Sequence, residues 1–214
     1  ETLRNLSIEE VYELADAILQ QDSEEIKKEL GDVLLHIVFY AKIGRENNEF
    51  TIGDVIDSLC EKLVYRHPHV FGAETADNQT QVLQRWEELK LQEKGRPKTV
   101  LGGVPKGLPA VIKANRMQSK ARSVGFDWDI KEQVWDKVEE ELAELKHEIF
   151  TNESKDKIEQ EFGDLLFSMI NAARLYNIDP EIALERTNMK FKRRFEYLES
   201  KTIAKGIDLK SMTL

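Results

Sequence analysis

Carboxylates recur in pairs in this sequence, at a spacing that can build a metal site. Glu10 and Glu13 are three residues apart, and so are Glu29 and Asp32. Side chains three apart on an α-helix share one face, so each pair would present its carboxylates together. If the two helices lie side by side, the two pairs bring four carboxylates to one point. Four like charges there repel strongly unless a cation compensates them. An all-oxygen set of this kind suits Mg²⁺, with Mn²⁺ as the alternative.

The same pattern occurs again in the second half of the sequence. At offsets of 131 and 132 residues, the four carboxylates are repeated by Glu141, Glu144, Glu161 and Asp164. Each aspartate follows a glycine, Gly31 in the first copy and Gly163 in the second. Glycine costs a helix about 1 kcal/mol relative to alanine, so we expect a neighbouring helix or the metal site to approach closely at both. The repetition predicts a duplicated helical bundle.

Other interpretations of the acidic pairs stay open. Glu-x-x-Glu pairs on helices are often solvated surface, and Glu10 is also spaced to complete a capping box with Ser7. A non-catalytic helical protein that binds basic partners through its acidic faces is one alternative. A di-iron bundle is disfavoured, because such bundles typically carry Glu-x-x-His pairs, whereas the second helix of each repeat reads Glu-x-x-Asp.

Basic residues late in the sequence are suited to binding phosphate. Lys190 and Arg194 lie one helical turn apart, with Arg193 beside Arg194. Arginine offers a planar fork that matches phosphate oxygens, and lysine offers a point charge. Together with a metal held by carboxylates, these residues favour a polyphosphate substrate.

Helices must position these side chains, and the periodicity is helical almost throughout. Start and stop signals predict helices over 7–21, 23–45, 51–67, 80–94, 109–125, 130–150, 154–176 and 180–202. We find no β alternation of useful length, so the predicted fold class is all-α. Seven of the 16 glycines and prolines fall between Gly95 and Pro109. This cluster predicts a linker over 95–108 that joins an N-terminal domain, 1–94, to a C-terminal domain, 109–214.

Composition excludes several classes of protein. The 214 residues carry a formal charge of -9, which argues against a nucleic-acid binder. No apolar run approaches the roughly 20 residues that span a bilayer. Cys60 is the single cysteine, which excludes a disulfide scaffold and favours a reducing compartment. With no signal peptide visible, we expect a cytoplasmic protein that binds neither membrane nor nucleic acid.

The charge is uneven along the chain. Residues 1–94 carry 20 acidic and 10 basic side chains, whereas residues 95–214 carry 20 and 21. An anionic ligand is therefore expected to prefer the second half.

The sequence resembles the MazG family of nucleoside triphosphate pyrophosphohydrolases over nearly its whole length. The resemblance rests on the two Glu-Glu-x-x-Glu…Glu-x-x-Asp blocks, on Arg66-His67-Pro68-His69-Val70-Phe71, on Arg85-Trp86-Glu87, on Gly125-Phe126-Asp127-Trp128 and on Asn188-x-Lys190-Phe191-x-x-Arg194-Phe195. It implies tandem four-helix-bundle-like domains, homodimers, and Mg²⁺-dependent hydrolysis of NTPs or dNTPs to monophosphate and pyrophosphate, in nucleotide-pool housecleaning. A more specialised dUTP or dCTP pyrophosphatase on a similar bundle stays open.

The resemblance also implies roles for individual residues. It makes the C-terminal half the active one, with Glu141, Glu144, Glu161 and Asp164 as metal ligands. It assigns phosphate contacts to Lys190 and Arg194, and further substrate contacts to Lys137, Asn188 and Arg193. Glu140 is about 100° round the helix from Glu141 and is a candidate to orient the attacking water. Trp128 is a candidate to stack on the base, although a tryptophan in a loop that joins helices more often serves in packing.

Overall fold

The computed structural model describes residues 3–72, 82, 85, 86, 89, 99–151 and 154–204. Within these residues every regular element is helical, which confirms the all-α prediction. Contacts divide the chain into two compact units, Glu1–Lys90 and Leu91–Leu214. The finer boundaries at 94 and 109 stay predictions: 95–98 lie outside the described residues, and 99–108 form turns. None of the described helices is both long and apolar enough to cross a bilayer.

An antiparallel helical hairpin dominates the first unit. Helices α1 (Leu3–Gln20) and α2 (Ser23–Glu46) pack along each other. Two residues join them: Gln21 takes a positive φ of 58°, and Asp22 caps α2. The Asp22 carboxylate accepts hydrogen bonds of 3.1 Å from the next amides, those of Glu24 and Glu25. This short connection forces the two helices to run in opposite directions.

Two shorter helices follow the hairpin in the first unit. Helix α3 (Ile52–Arg66) begins at a capping box, in which Thr51 and Asp54 bond to each other's backbone amides. It ends before Pro68, as expected from the restriction that proline places on the preceding residue. Helix α4 (Pro68–Phe71) is a single turn. The predicted helix over 80–94 lies mostly outside the described residues, which are helical at 82, 85, 86 and 89.

The second unit contains the matching hairpin and two flanking helices. A 3₁₀ turn, Lys131–Gln133, leads into α6 (Val134–Phe150), which packs along α7 (Lys155–Leu175). Helix α5 (Ala110–Arg122) packs on α7 and on α8 (Pro180–Ala204). The buried core between the hairpin helices consists of Val134, Val138 and Ala172, with Leu165 and Leu175 packed against it.

The predicted start of α1 is wrong. The helix already runs from Leu3, so Ser7 lies inside it and forms no capping box with Glu10. The Ser7 hydroxyl instead donates to the Leu3 carbonyl at 2.8 Å and contacts His36 and Tyr40 on α2. The local sequence pattern assigned the Ser7 hydroxyl to a helix cap. In the structure it is satisfied by partners on α2 and by a carbonyl one turn back on its own helix. The capping interpretation of Glu10 is therefore excluded.

The expected close approach at the two repeated glycines is also wrong within the described part of the chain. A Cβ atom added at Gly31 or at Gly163 would meet nothing within 4 Å. Both positions are exposed. The space beside each glycine is therefore open on the surface of its own unit.

Candidate metal centre

The second hairpin brings three of the predicted carboxylates together. Glu141 on α6 and Glu161 and Asp164 on α7 each offer an oxygen, and these oxygens lie within 4.8 Å of one another. Glu141 is buried, Glu161 is half-buried and Asp164 is exposed. The cluster thus reaches from the interior of the hairpin to solvent, as a site open to a ligand must.

The first hairpin repeats this arrangement on its own helices. Glu10 and Glu13 on α1 and Glu29 on α2 each place an oxygen within 4.8 Å of the others. Glu29 is 1% exposed, and its Oε2 atom has no hydrogen-bond partner among the residues that the structure describes. A buried carboxylate oxygen without a partner is costly unless a cation or proton reaches it.

The fourth predicted member of each set lies at the edge of its cluster. The charge of Asp32 acts on Glu29, since it raises the pKa of that carboxyl against the larger lowering effect of Lys28. Glu144 lines a cavity of about 510 Å³ together with Glu161, His147 and Glu148. Neither Asp32 nor Glu144 belongs to the tight groups of three described above.

Glu148 is a carboxylate that the sequence analysis missed. It follows Glu144 by four residues on α6, so it lies on the same helix face one turn further along. One of its oxygens, Oε2, is buried with no hydrogen-bond partner among the described residues. The spacing of 141, 144 and 148 was the available signal. The equivalent position in the first half is Ala17, which is buried, so this carboxylate distinguishes the two hairpins.

Crowded negative charge shifts the titration of both clusters. Desolvation, followed by the charges of Glu144 and Asp164, raises the pKa of Glu161. Desolvation and the charge of Glu29 likewise raise the pKa of Glu13. A divalent cation would offset the part of both pKa shifts that comes from repulsion between the carboxylates.

One lysine in each hairpin partly neutralises the buried carboxylate. Lys137 Nζ donates to Glu141 at 2.8 Å and to Glu140 at 3.0 Å. Lys28 Nζ donates to Glu29 at 2.9 Å, and it was not anticipated from sequence. Hydrogen bonds to Glu141 and Glu140 raise the pKa of Lys137. Hydrogen bonds to Glu25 and Glu29 raise the pKa of Lys28, so each ammonium stays charged. Lys137 was predicted to contact the substrate, and in the structure it contacts the carboxylates of the cluster.

The predicted phosphate-binding residues lie on the exposed surface of α8. Lys190 and Arg194 are exposed and, within the described residues, form no ion pair with the carboxylates. Asn188 donates to Glu185 at 3.0 Å, and Arg193 donates to the Met189 carbonyl at 3.4 Å. Within the described residues, no hydrogen bond or ion pair therefore links these four side chains to the carboxylate cluster.

Trp128 lines a second cavity of the same unit, with a volume of about 420 Å³. Its neighbour Asp127 forms an ion pair with buried Arg174, which also donates to Asn171 at 2.8 Å. Arg122 contacts the same aspartate at 3.5 Å. The Gly-Phe-Asp-Trp stretch is therefore held to α7 through its aspartate.

Comparison with known proteins agrees with this duplicated geometry. The model of the MazG nucleotide pyrophosphohydrolase domain matches the chain in two segments, 1–71 and 131–198. The chain belongs to the MazG family. Each matched segment contains one of the two hairpins with its carboxylates, so the tandem arrangement of MazG domains is confirmed.

Several bacterial proteins match this MazG chain over the whole of its length. The MazG nucleoside triphosphate pyrophosphohydrolase/pyrophosphatase of Thermotoga maritima is 46% identical over the whole chain, which covers 81% of that protein. The nucleoside triphosphate pyrophosphohydrolase of Escherichia coli K12 is 38% identical, with 82% of it covered. YabN of Bacillus subtilis, an uncharacterized protein, is 44% identical over the chain, which spans 44% of its length.

The two MazG hairpins have diverged beneath their carboxylates. In the first, His36 contacts the Ser7 hydroxyl at 3.2 Å through Nδ1 and Glu10 at 3.7 Å through Nε2. In the second, the residue that matches Ser7 is Val138, a member of the apolar core. A polar network thus holds the first cluster where apolar packing holds the second.

Both clusters fit a metal ion by the chemistry of their donors. The ligand atoms are carboxylate oxygens, which hard divalent cations prefer. Within the described part of the chain, the Glu29 Oε2 atom has no partner, and burial together with neighbouring carboxylates raises the pKa of Glu161. Each cluster could therefore hold a divalent cation.

Proposed function

We propose that this protein hydrolyses nucleoside triphosphates to nucleoside monophosphate and pyrophosphate, with Mg²⁺ as its metal. The observation that carries the proposal is the Glu141, Glu161 and Asp164 cluster, which lies in a segment matched by the MazG nucleotide pyrophosphohydrolase domain. Two relatives that match over the whole of this chain bear the name of that activity. The second half is the better candidate, because it carries the extra carboxylate Glu148.

In this proposal, one set of residues holds the metal and a second set contacts the phosphates. Glu141, Glu144, Glu161 and Asp164 would hold the metal, which would supply positive charge for the phosphate oxygens. Lys137 offers a charge beside Glu141, and Lys190, Arg193 and Arg194 offer three more on α8. These cations compensate the charge that develops on the leaving pyrophosphate.

Glu140 is the proposed group that handles the water proton. It is exposed and accepts a hydrogen bond from Lys137 at 3.0 Å, and the same lysine contacts Glu141 of the cluster. A water oxygen adds to phosphorus while the bond between the α- and β-phosphates breaks. The water proton passes to Glu140, and the leaving group departs as pyrophosphate.

The products of a simple incubation test the proposal. Purified protein with NTP and Mg²⁺ should give monophosphate and pyrophosphate in equal amounts, separated by anion-exchange chromatography. A panel of NTPs, dUTP and dCTP measures how broad the activity is, and excess EDTA should abolish it. Release of diphosphate and orthophosphate would contradict the proposed reaction. If Mg²⁺ also failed to raise the melting temperature, a non-catalytic binding protein would become the better interpretation.

We also propose that the active form is a homodimer. Leu30, Leu34 and Val38 form an apolar row on α2, and they are 52%, 58% and 50% exposed. Phe162, Leu166 and Met169 form a similar row on α7. The open space at Gly31 and Gly163 lies beside these rows and leaves room for a partner helix.

Light scattering after gel filtration checks the dimer directly. The wild type should elute with twice the chain mass, and Leu34→Glu together with Leu166→Glu should reduce it to one chain mass. Lys27→Glu is the matched control, because it adds an acid at an exposed charged position of α2 and should leave the mass unchanged. A wild-type monomer at micromolar concentration would refute the dimer.

A further inference from the structure

The polar network of the first hairpin ends in a histidine nitrogen that faces a carboxylate. His36 on α2 is 9% exposed. Its Nδ1 atom contacts the Ser7 hydroxyl at 3.2 Å, and its Nε2 atom lies 3.7 Å from Glu10 Oε1. The side chains of His36 and Glu10 are 11% and 22% exposed, so the pair is enclosed but still in contact with solvent.

The hydrogen bonds of Ser7 determine which nitrogen of His36 carries a proton. The Ser7 hydroxyl donates its single proton to the Leu3 carbonyl at 2.8 Å, because a carbonyl oxygen can only accept. Ser7 Oγ is therefore the acceptor toward both His36 Nδ1 and the Tyr40 hydroxyl. In a neutral imidazole, a proton on Nδ1 leaves a lone pair on Nε2.

This lone pair has no hydrogen bond to satisfy it. Among the described residues Nε2 contacts Glu10 alone, and 3.7 Å is too long for a hydrogen bond. A lone pair and a carboxylate that face each other repel unless a cation lies between them. Positive charge is also lacking on the next helix, where Glu29 is 1% exposed and its Oε2 atom has no partner among the described residues.

The spacing and the support of this pair match those of a transition-metal site. Two donor atoms that each bind one ion at about 2.1 Å lie roughly 3–4 Å apart, and the separation of His36 Nε2 from Glu10 Oε1 falls in that range. A histidine that binds a metal usually donates its other N–H to a fixed acceptor, which orients the ring. Ser7 is that acceptor here.

The second hairpin lacks an equivalent pair. The residue that matches His36 is Ser168, and its hydroxyl donates to the Leu165 carbonyl at 2.9 Å. The residue that matches Ser7 is Val138, which belongs to the apolar core. The tight group in the second hairpin therefore consists of carboxylates and has no nitrogen on the helix that supplies Glu161 and Asp164.

We infer that His36 and Glu10 bind a first-row transition metal ion, with His36 Nε2 as its nitrogen ligand. Imidazole suits ions such as Zn²⁺, whereas carboxylates alone suit Mg²⁺, so the two hairpins select different cations. The ion lies at the Glu10 end of the first cluster, because His36 is outside the tight group of three carboxylates. The inference concerns the first hairpin and does not depend on the reaction proposed for the second.

Co²⁺ is the probe for the nitrogen ligand, because it accepts the ligands of Zn²⁺ and strongly shifts the NMR signals of residues bound to it. The full chain with Glu161→Gln and Asp164→Asn, which weaken the second cluster, is titrated with Co²⁺. The Nδ1 proton of His36 should give a strongly shifted signal that disappears in D₂O, and ¹⁵N-histidine labelling should identify it as an imidazole N–H. His36→Gln should abolish this signal. His147→Gln is the matched control, since His147 lies beside the second cluster, and it should retain the signal. The inference fails if the signal is absent or if His36→Gln leaves it in place.

Calorimetry in the same background tests the selectivity. His36→Gln should weaken Zn²⁺ binding by at least the roughly tenfold that even a residue orienting a ligand contributes, with little change in the Kd for Mg²⁺ or in the helical circular dichroism. Ser7→Ala keeps the nitrogen but removes the acceptor that orients the ring, so it should weaken Zn²⁺ binding by a smaller factor. Equal losses for both ions in His36→Gln would show that His36 only supports the fold. Absence of triphosphate hydrolysis in the wild type would contradict the proposed reaction and leave this result unaffected.

Discussion

Glu161→Gln is expected to lower kcat/KM for triphosphate hydrolysis by about a thousandfold or more, because it removes one carboxylate of the cluster that holds the metal. The side chain keeps its size and its place on α7, so the far-ultraviolet circular dichroism should not change. Asp164→Asn is expected to have an effect of the same order. Both rates are measured as pyrophosphate release at saturating Mg²⁺.

The metal-free protein should respond to the same change in the opposite direction. Desolvation and the neighbouring carboxylates raise the pKa of Glu161, which means that its negative charge destabilises the fold near neutral pH. Glu161→Gln should therefore raise the melting temperature in EDTA. Mg²⁺ at about one hundred times its Kd should raise that of the wild type by roughly 5–10 °C, and that of the variant by much less.

The matched control is Glu29→Gln in the first hairpin. It removes the equivalent carboxylate from the other cluster, and we expect a much smaller loss of activity. If Glu161→Gln retained wild-type turnover, the second cluster would not be the active site. If Glu29→Gln instead gave the thousandfold loss, the assignment of activity to the second half would be reversed.

Arg174→Met should destabilise the second unit by about 3 kcal/mol, at the low end of the cost of breaking a buried ion pair. The Arg174 side chain is 7% exposed, and its guanidinium binds Asp127 and Asn171. Burial raises the pKa of Asp127, but the hydrogen bonds from Arg174 and from the Trp128 amide, together with the charges of Arg174 and Arg122, hold that pKa below its ordinary value. Methionine would fill much of the space and leave this carboxylate without its main partner. Urea denaturation followed by circular dichroism measures the loss.

Two further variants separate the charge effect from packing. Arg122→Met removes the exposed arginine that contacts the same aspartate at 3.5 Å, and we expect it to cost less than about 1 kcal/mol. Adding Asp127→Leu to Arg174→Met should recover much of the lost stability, because no unpaired charge is then left. A double variant as unstable as the single one would show that Arg174 stabilises the unit through its packing.

The sequence predicted those parts of the fold that depend on local signals. The cap at Asp22 and the Thr51–Asp54 box are short-range hydrogen bonds, and the helices that they begin start within a residue of expectation. The pairing of helices into hairpins followed from connections too short for any other geometry. The repeated carboxylates could be placed on facing helices for the same reason.

Features that depend on tertiary contacts were not readable in this way. Ser7 carried the right spacing for a cap, but α2 offers it His36 and Tyr40 instead. The sequence does not distinguish Lys28 from other surface lysines. It becomes the partner of Glu29 because that carboxylate is buried in the folded hairpin. No sequence pattern marks Gln118, because the partner of its amide group, the Phe167 carbonyl, lies on another helix.

Each carboxylate cluster lies within a single helical hairpin, and this affects both how the cluster folds and how it can be duplicated. The carboxylates of the first cluster lie within 19 residues of one another, from Glu10 to Glu29, and those of the second within 23, from Glu141 to Asp164. Helical units with such low contact order fold fast, typically in microseconds to milliseconds, so each cluster can assemble as soon as its own hairpin closes. A segment that contains its whole ligand set can also be duplicated without breaking the set. One copy can then change its supporting residues, as Ser7 and Val138 show, while the other keeps the site intact.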